Sequence, residues 1–95
     1  MLIIREVFNA KPGMASKLAK LMVEVGRPSA GKVSVMTDVA GEFNQVVVEY
    51  EVESLGAFEN AFAEYQAKIP AEVKAKMAGY TEMYTKGRRE IYRLQ

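Results

Sequence analysis

The sequence contains no cysteine, no histidine and no tryptophan. Without cysteine there is no disulfide framework, no thiolate nucleophile and no sulfur-ligated metal. Without histidine, both the commonest general base and the commonest metal ligand are missing. Any proton transfer must then fall to carboxylates, lysines or tyrosines. An excess of one charge is also absent. Thirteen basic residues face 12 acidic ones, for a net charge of +1, which directs no field at nucleic acid, an acidic membrane or an acidic substrate. No apolar run approaches the roughly 18–20 residues of a membrane span. The opening "MLIIREVFNA" meets charge at Arg5, too early for a signal peptide. These absences predict a cytoplasmic protein with no nucleic-acid or membrane partner. Ninety-five residues, 49% hydrophobic and 26% charged, are ordinary globular composition and predict a single domain over 1–95.

The chain alternates between two periodicities. In "LIIREVFN" (2–9) Leu2, Ile4 and Phe8 share one parity and Ile3 and Val7 the other, so both faces of this strand ask for cover. In "KPGMASKLAKLMVEVG" (11–26), Met14, Leu18, Leu21, Met22 and Val25 fall on one helical face. Pro12 suits a first helical turn there and Gly26 suits the stop. "KVSVMTDV" (32–39) and "NQVVVEYEV" (44–52) read as two strands joined by a hairpin at "AGEF". Ser54 can cap a second helix carrying Leu55, Phe58, Phe62, Tyr65 and Ile69. Pro70 ends it and opens a third, with Val73, Met77, Tyr80 and Tyr84 on one side. After Gly87, "RREIYRL" (88–94) closes the chain as a strand.

The order βαββαβ predicts an α+β, ferredoxin-like sandwich, with helices on one face of a four-stranded antiparallel sheet. The other face would then expose Ile3, Val7, Val47 and one of Val35 and Met36, a patch that in a small protein marks an interface. A homodimer is expected, its sheets packed face to face into an α/β barrel, with Arg5, Glu49 and Glu51 as polar pairs among those apolar residues.

"GRPSAGKVS" (26–34) spells most of a phosphate-binding loop. Such a loop needs a strand before it, a helix after it and a hydroxyl directly after the lysine. Here a helix precedes, a strand follows, and Val33 stands in the hydroxyl's place, so the stretch reads as a helix stop and a turn.

"IREVFNAKPGM" resembles the start of small NIPSNAP-like proteins of the dimeric α/β-barrel superfamily, where an arginine-bearing first strand runs into Lys-Pro-Gly and an amphipathic helix. "GRREIYRL" resembles their last strand. The resemblance implies a dimer whose two sheets form a barrel, with a pocket between sheet and helices in each subunit. It also implies a choice of chemistries, among them cofactor-free oxygenation, isomerisation and haem binding, so membership says little about activity. Haem chemistry in this group leans on a proximal histidine, which this chain lacks, and no cofactor is expected.

Glu6 is the candidate catalytic residue. It shares its parity with Leu2, Ile4 and Phe8, which turns it towards the pocket, where desolvation would favour a base. The competing reading pairs it with Arg88 or Arg89 in a structural salt bridge. Tyr50, Phe62, Tyr65, Tyr80 and Tyr84 are the candidate pocket residues, with the phenols either donating hydrogen bonds or simply packing. "EYEVE" sets Glu49, Glu51 and Glu53 on one face of a strand, about 6.5–7 Å from one to the next. That is too spread for a metal, and none is expected. The third strand also lacks the stacking aromatics and positive charge of an RNA-binding sheet. Two readings follow: a dimeric binder of a small apolar or aromatic metabolite, or a cofactor-independent monooxygenase or isomerase using Glu6.

Overall fold

The computed structural model describes residues 1–95. Strand β1 (Leu2–Ala10) is followed by helix α1 (Ala15–Val25), strands β2 (Ser34–Thr37) and β3 (Gln45–Val52), helices α2 (Leu55–Lys68) and α3 (Ala71–Met77), a 3₁₀ turn (Tyr80–Met83) and strand β4 (Tyr84–Arg93). The strands form one sheet in the order β2-β3-β1-β4, every neighbouring pair antiparallel. This is the α+β ferredoxin-like fold. No helix is long and apolar enough to cross a membrane.

Side chains alternate across a strand, and the core uses one parity only. Leu2, Ile4 and Ala10 of β1 join Val46, Val48, Tyr50 and Val52 of β3 against Leu18 and Met22 of α1 and Phe58 of α2. Ile4, Leu18, Met22, Val46 and Val48 are fully buried. Truncating one of the larger ones, such as Leu18→Ala, should cost about 2–5 kcal/mol.

The odd positions build the outer face. Val7 lies opposite Val47 in β3 and Arg88 in β4, and Arg5 lies opposite Glu49 and Glu90. Met36 of β2 lies opposite Val47. Arg5 Nη2 bonds Glu49 at 2.9 Å, and its guanidinium carbon stands 5.5 Å from the centre of the Tyr92 ring. Ile3, Arg5, Val47 and Glu49 are half-buried. Val7, expected to lie open there, is only 3% exposed: the neighbouring side chains of its own face already cover it.

The sequence reading needs correction at several boundaries. Helix α1 starts at Ala15 rather than in the Pro12 turn, because Gly13, at φ 80°, takes the chain through a left-handed position first. Strand β2 is shorter than 32–39. Asp38 Oδ1 accepts the Gln45 amide at 2.7 Å, which turns the chain out of the ladder. Leu55 of α2 is 54% exposed and sits outside the core. Helix α3 stops at Met77, so Tyr80 lies in the 3₁₀ turn and Tyr84 opens β4, neither of them on a helix. Gly87 falls inside β4 opposite Phe8. A Cβ there would stand 3.3 Å from Tyr84 and 3.4 Å from Phe8, so the glycine admits two rings that meet edge to face with centroids 5.0 Å apart.

A candidate ligand cavity beside Glu6

Glu6 is the one buried charged residue, 4% exposed. Its place follows from parity and register: an even position on β1, directly opposite Arg89 of β4 and Val48 of β3. Arg89 gives its carboxylate Oε2 two hydrogen bonds, from Nε at 3.0 Å and Nη2 at 2.8 Å. Tyr50, two residues along β3, donates to the same oxygen at 3.1 Å. Arg27, directly after the Gly26 stop of α1, donates from Nε to Oε1 at 2.8 Å. Four hydrogen bonds thus meet on one carboxylate, three of them on Oε2 and one on Oε1. Of the two arginines named in the sequence reading, Arg89 is the partner, while Arg88 bonds Glu90 at 3.2 Å.

Arg27 escaped the sequence reading. It lies in the stretch that mimics a phosphate loop, and the structure shows what that stretch does. The Ala30 amide donates to the Glu51 carbonyl at 2.9 Å and the Gly31 amide to Ser29 Oγ at 3.2 Å. The Glu51 amide also donates to Ser29 Oγ at 3.2 Å. The Ala30 amide and the Ser29 hydroxyl thus pin the loop to Glu51 of β3, and the Gly31 amide is taken up within the loop. Arg27 Nη1 donates to its neighbour's carbonyl, Gly26, at 2.7 Å.

Around this cluster opens a cavity of about 400 Å³, within the usual range of small-ligand sites. Phe62 and Tyr65 of α2, Tyr80 of the 3₁₀ turn and Tyr84 of β4 line it together with Glu6, Arg27 and Arg89. Four of the five residues expected to form the pocket thus come together. Tyr50 does not reach the wall. It is 1% exposed, its hydroxyl is spent on Glu6, and its ring packs towards Phe58 with centroids 6.3 Å apart. The Arg89 guanidinium is steadied from the other side by Phe58 and Phe62, at 5.4 and 5.8 Å from their ring centres. Tyr65 donates to the Val25 carbonyl at 2.6 Å, with the Gly26 carbonyl at 3.0 Å, and so satisfies the open end of α1.

These phenols are proton donors rather than bases. Burial, reinforced by the Glu6 carboxylate, lifts Tyr50 well above the ordinary tyrosine value of 10. Burial raises Tyr65 as well, and burial with Tyr80 alongside raises Tyr84. At neutral pH all three hold their protons. Glu6 in turn is held mainly through Oε2, which takes three of its four hydrogen bonds, while Oε1 takes one from Arg27.

A four-stranded antiparallel sheet with an arginine-clamped carboxylate beside an aromatic cavity defines a ferredoxin-like α+β domain, and similar solved structures carry the same fold. A NIPSNAP-like domain protein from Burkholderia xenovorans superposes with a TM-score of 0.80 at 17% identity, covering 99% of this chain and 84% of its own. A candidate antibiotic biosynthesis monooxygenase from Deinococcus radiodurans gives 0.68 at 18% identity, covering 100% and 93%. A dimeric ferredoxin-like protein from an uncultured marine organism gives 0.71 at 9% identity, covering 99% and 87%. No family model and no curated protein matches the sequence. The chain therefore has the fold of the NIPSNAP-like proteins and their monooxygenase-like structural relatives, in agreement with the resemblance carried by its two ends.

Proposed function

We propose that this chain is a homodimeric small-molecule binder, each subunit taking one apolar or aromatic metabolite into the cavity between sheet and helices. The observation that carries this reading is the cavity itself. Phe62, Tyr65, Tyr80 and Tyr84 give it an aromatic wall, and polar groups converge on it at Glu6. Dimerisation through the outer face is supported by Ile3, Val47, Met36 and Tyr92, apolar side chains that no helix of the same chain covers. The fold neighbour described as dimeric favours the same assembly.

The alternative is a cofactor-independent monooxygenase or isomerase with Glu6 as base, favoured by the description of the Deinococcus radiodurans neighbour. The two arginines and the phenol on Glu6 weigh towards binding, because they commit the carboxylate to holding Arg27 and Arg89 in place. The test of the binding reading is an NMR titration of the amide spectrum with neutral 1-naphthalenemethanol. Shifts confined to residues around Phe62, Tyr80 and Gly87 are expected. Shifts scattered over the surface, or none, would remove the cavity from the account.

A further inference from the structure

The cavity carries an imbalance of charge that the binding reading leaves unused. Glu6 is the only acidic residue on its wall, and it meets two guanidiniums, Arg27 and Arg89. One carboxylate against two arginines leaves one positive charge. The remaining basic residue of the wall, Arg88, is already paired with Glu90. Beside a wall of aromatic rings, that excess charge is a ready partner for an anion.

The donors point to the same gap. A guanidinium has five N–H groups. Arg89 uses two of them, both on Glu6, and its remaining three find no acceptor within the chain. Its side chain is 46% exposed, so a molecule arriving from solvent can reach it. Arg27 is only 9% exposed, yet one of its Nη2 hydrogens is given to the thioether sulfur of Met22 at 3.3 Å. Sulfur of that kind is a weak acceptor. Its other two nitrogens reach Glu6 and the Gly26 carbonyl, so Arg27 is held within the chain and the free donors of the pair are those of Arg89. Neither arginine can swing away, since Glu6 fixes both and the Phe58 and Phe62 rings flank one of them.

We infer that the cavity selects a monoanion: an aromatic acid whose single carboxylate takes the free donors of Arg89, while its ring lies among Phe62, Tyr80 and Tyr84. Glu6 is then a positioning residue. It holds the two guanidiniums in place and cancels one of their charges, so that one negative charge on the ligand, rather than two or none, completes the site. Arginine suits this task because its planar fork matches a carboxylate.

The inference rests on the cavity-binding reading, and the test separates the two. Three probes on one naphthalene ring are titrated calorimetrically into the purified protein at pH 7 and low salt: 1-naphthoate, its near-isosteric amide 1-naphthamide, and the cationic 1-naphthylmethylammonium. The expected order is naphthoate first, tighter than the amide by about tenfold or more, the size of a charge-assisted hydrogen bond at a partly exposed site. Added salt should shrink that preference, since one partner faces solvent. Arg89→Met should abolish it while the amide still binds, and Arg89→Lys should retain part of it. Equal binding of naphthoate and amide would keep the cavity and overturn the inference. Tightest binding of the ammonium would overturn it too, showing that Glu6 rather than the arginines sets the field. If no probe binds, both readings fall. The comparison of probes on the unaltered protein decides the matter even if the Arg89 variants do not fold.

Discussion

Replacing Glu6 by glutamine is the most informative perturbation of this molecule. The side chain keeps its shape but loses its charge, and it sits 4% exposed with four donors around it. Arg27, 9% exposed, would then be a buried cation without a counter-charge. Removing one partner of a buried ion pair costs about 3–5 kcal/mol. The Arg89 side of the cluster is 46% exposed, so water offsets much of its share. The amide oxygen of glutamine still accepts from one or two donors. The net expectation is therefore a loss of about 3 kcal/mol, from the low end of that range. A domain of this size has a total stability of roughly 5–14 kcal/mol, and a loss of that size lowers its midpoint temperature by about 12–24 °C. Urea denaturation followed by circular dichroism, at one fixed protein concentration, measures it. Arg89→Met serves as the internal comparison, expected to cost about 1 kcal/mol because its charge is half in water. A Glu6→Gln protein within about 1 kcal/mol of the parent would refute the reasoning, since it would mean that the carboxylate compensates nothing.

Three more outcomes follow from other parts of the structure. Tyr50, Tyr65 and Tyr84 ionise less readily in the fold than in the unfolded chain. Above about pH 10 the unfolded chain therefore loses their protons first. The stability they contribute is complete below that pH and is lost as pH rises through the higher folded values. Tyr50→Phe should reduce this alkaline loss and remove a late step from the absorbance titration of the tyrosines; loss of an early step near the ordinary tyrosine value instead would place Tyr50 in solvent. Tyr65→Phe leaves the Val25 carbonyl without its phenol donor, Arg27 still serving Gly26, and should cost about 1 kcal/mol in the same urea assay, whereas no loss would show that water replaces the phenol. Val47→Lys puts a charge between Val7 and Met36 on the outer face and should give a monomer by light scattering, so a persisting dimer would move the interface elsewhere.

Periodicity carried most of the fold. The alternation in 2–9 and 44–52 and the helical spacing in 14–25 each report burial directly, because one face of each element meets the core. Glu6 stood out for the same reason, as a charge on a core parity. Register supplied its partner, since only pairing in the sheet sets Arg89 rather than Arg88 across from it. Arg27 was not legible. It reaches Glu6 from a loop, and nothing periodic governs a loop side chain. Its one signal was indirect: a buried carboxylate asks for more than one half-exposed cation, and "GRPS" offers an arginine where a helix ends beside β1. The ends of α3 and β4 were misread because Tyr80 and Tyr84 keep a four-residue spacing although the chain changes structure between them. Gly87, which reads as punctuation, is a packing residue whose missing side chain makes room for Phe8 and Tyr84.

The central claim, a homodimer with one small-molecule cavity in each subunit, is tested most directly by native mass spectrometry of the protein with and without 1-naphthoate. The account predicts a mass of two 10.6 kDa chains and, with the acid present, a further step of one added molecule per chain. Single chains at every concentration, or a dimer that never takes up the acid, would contradict it.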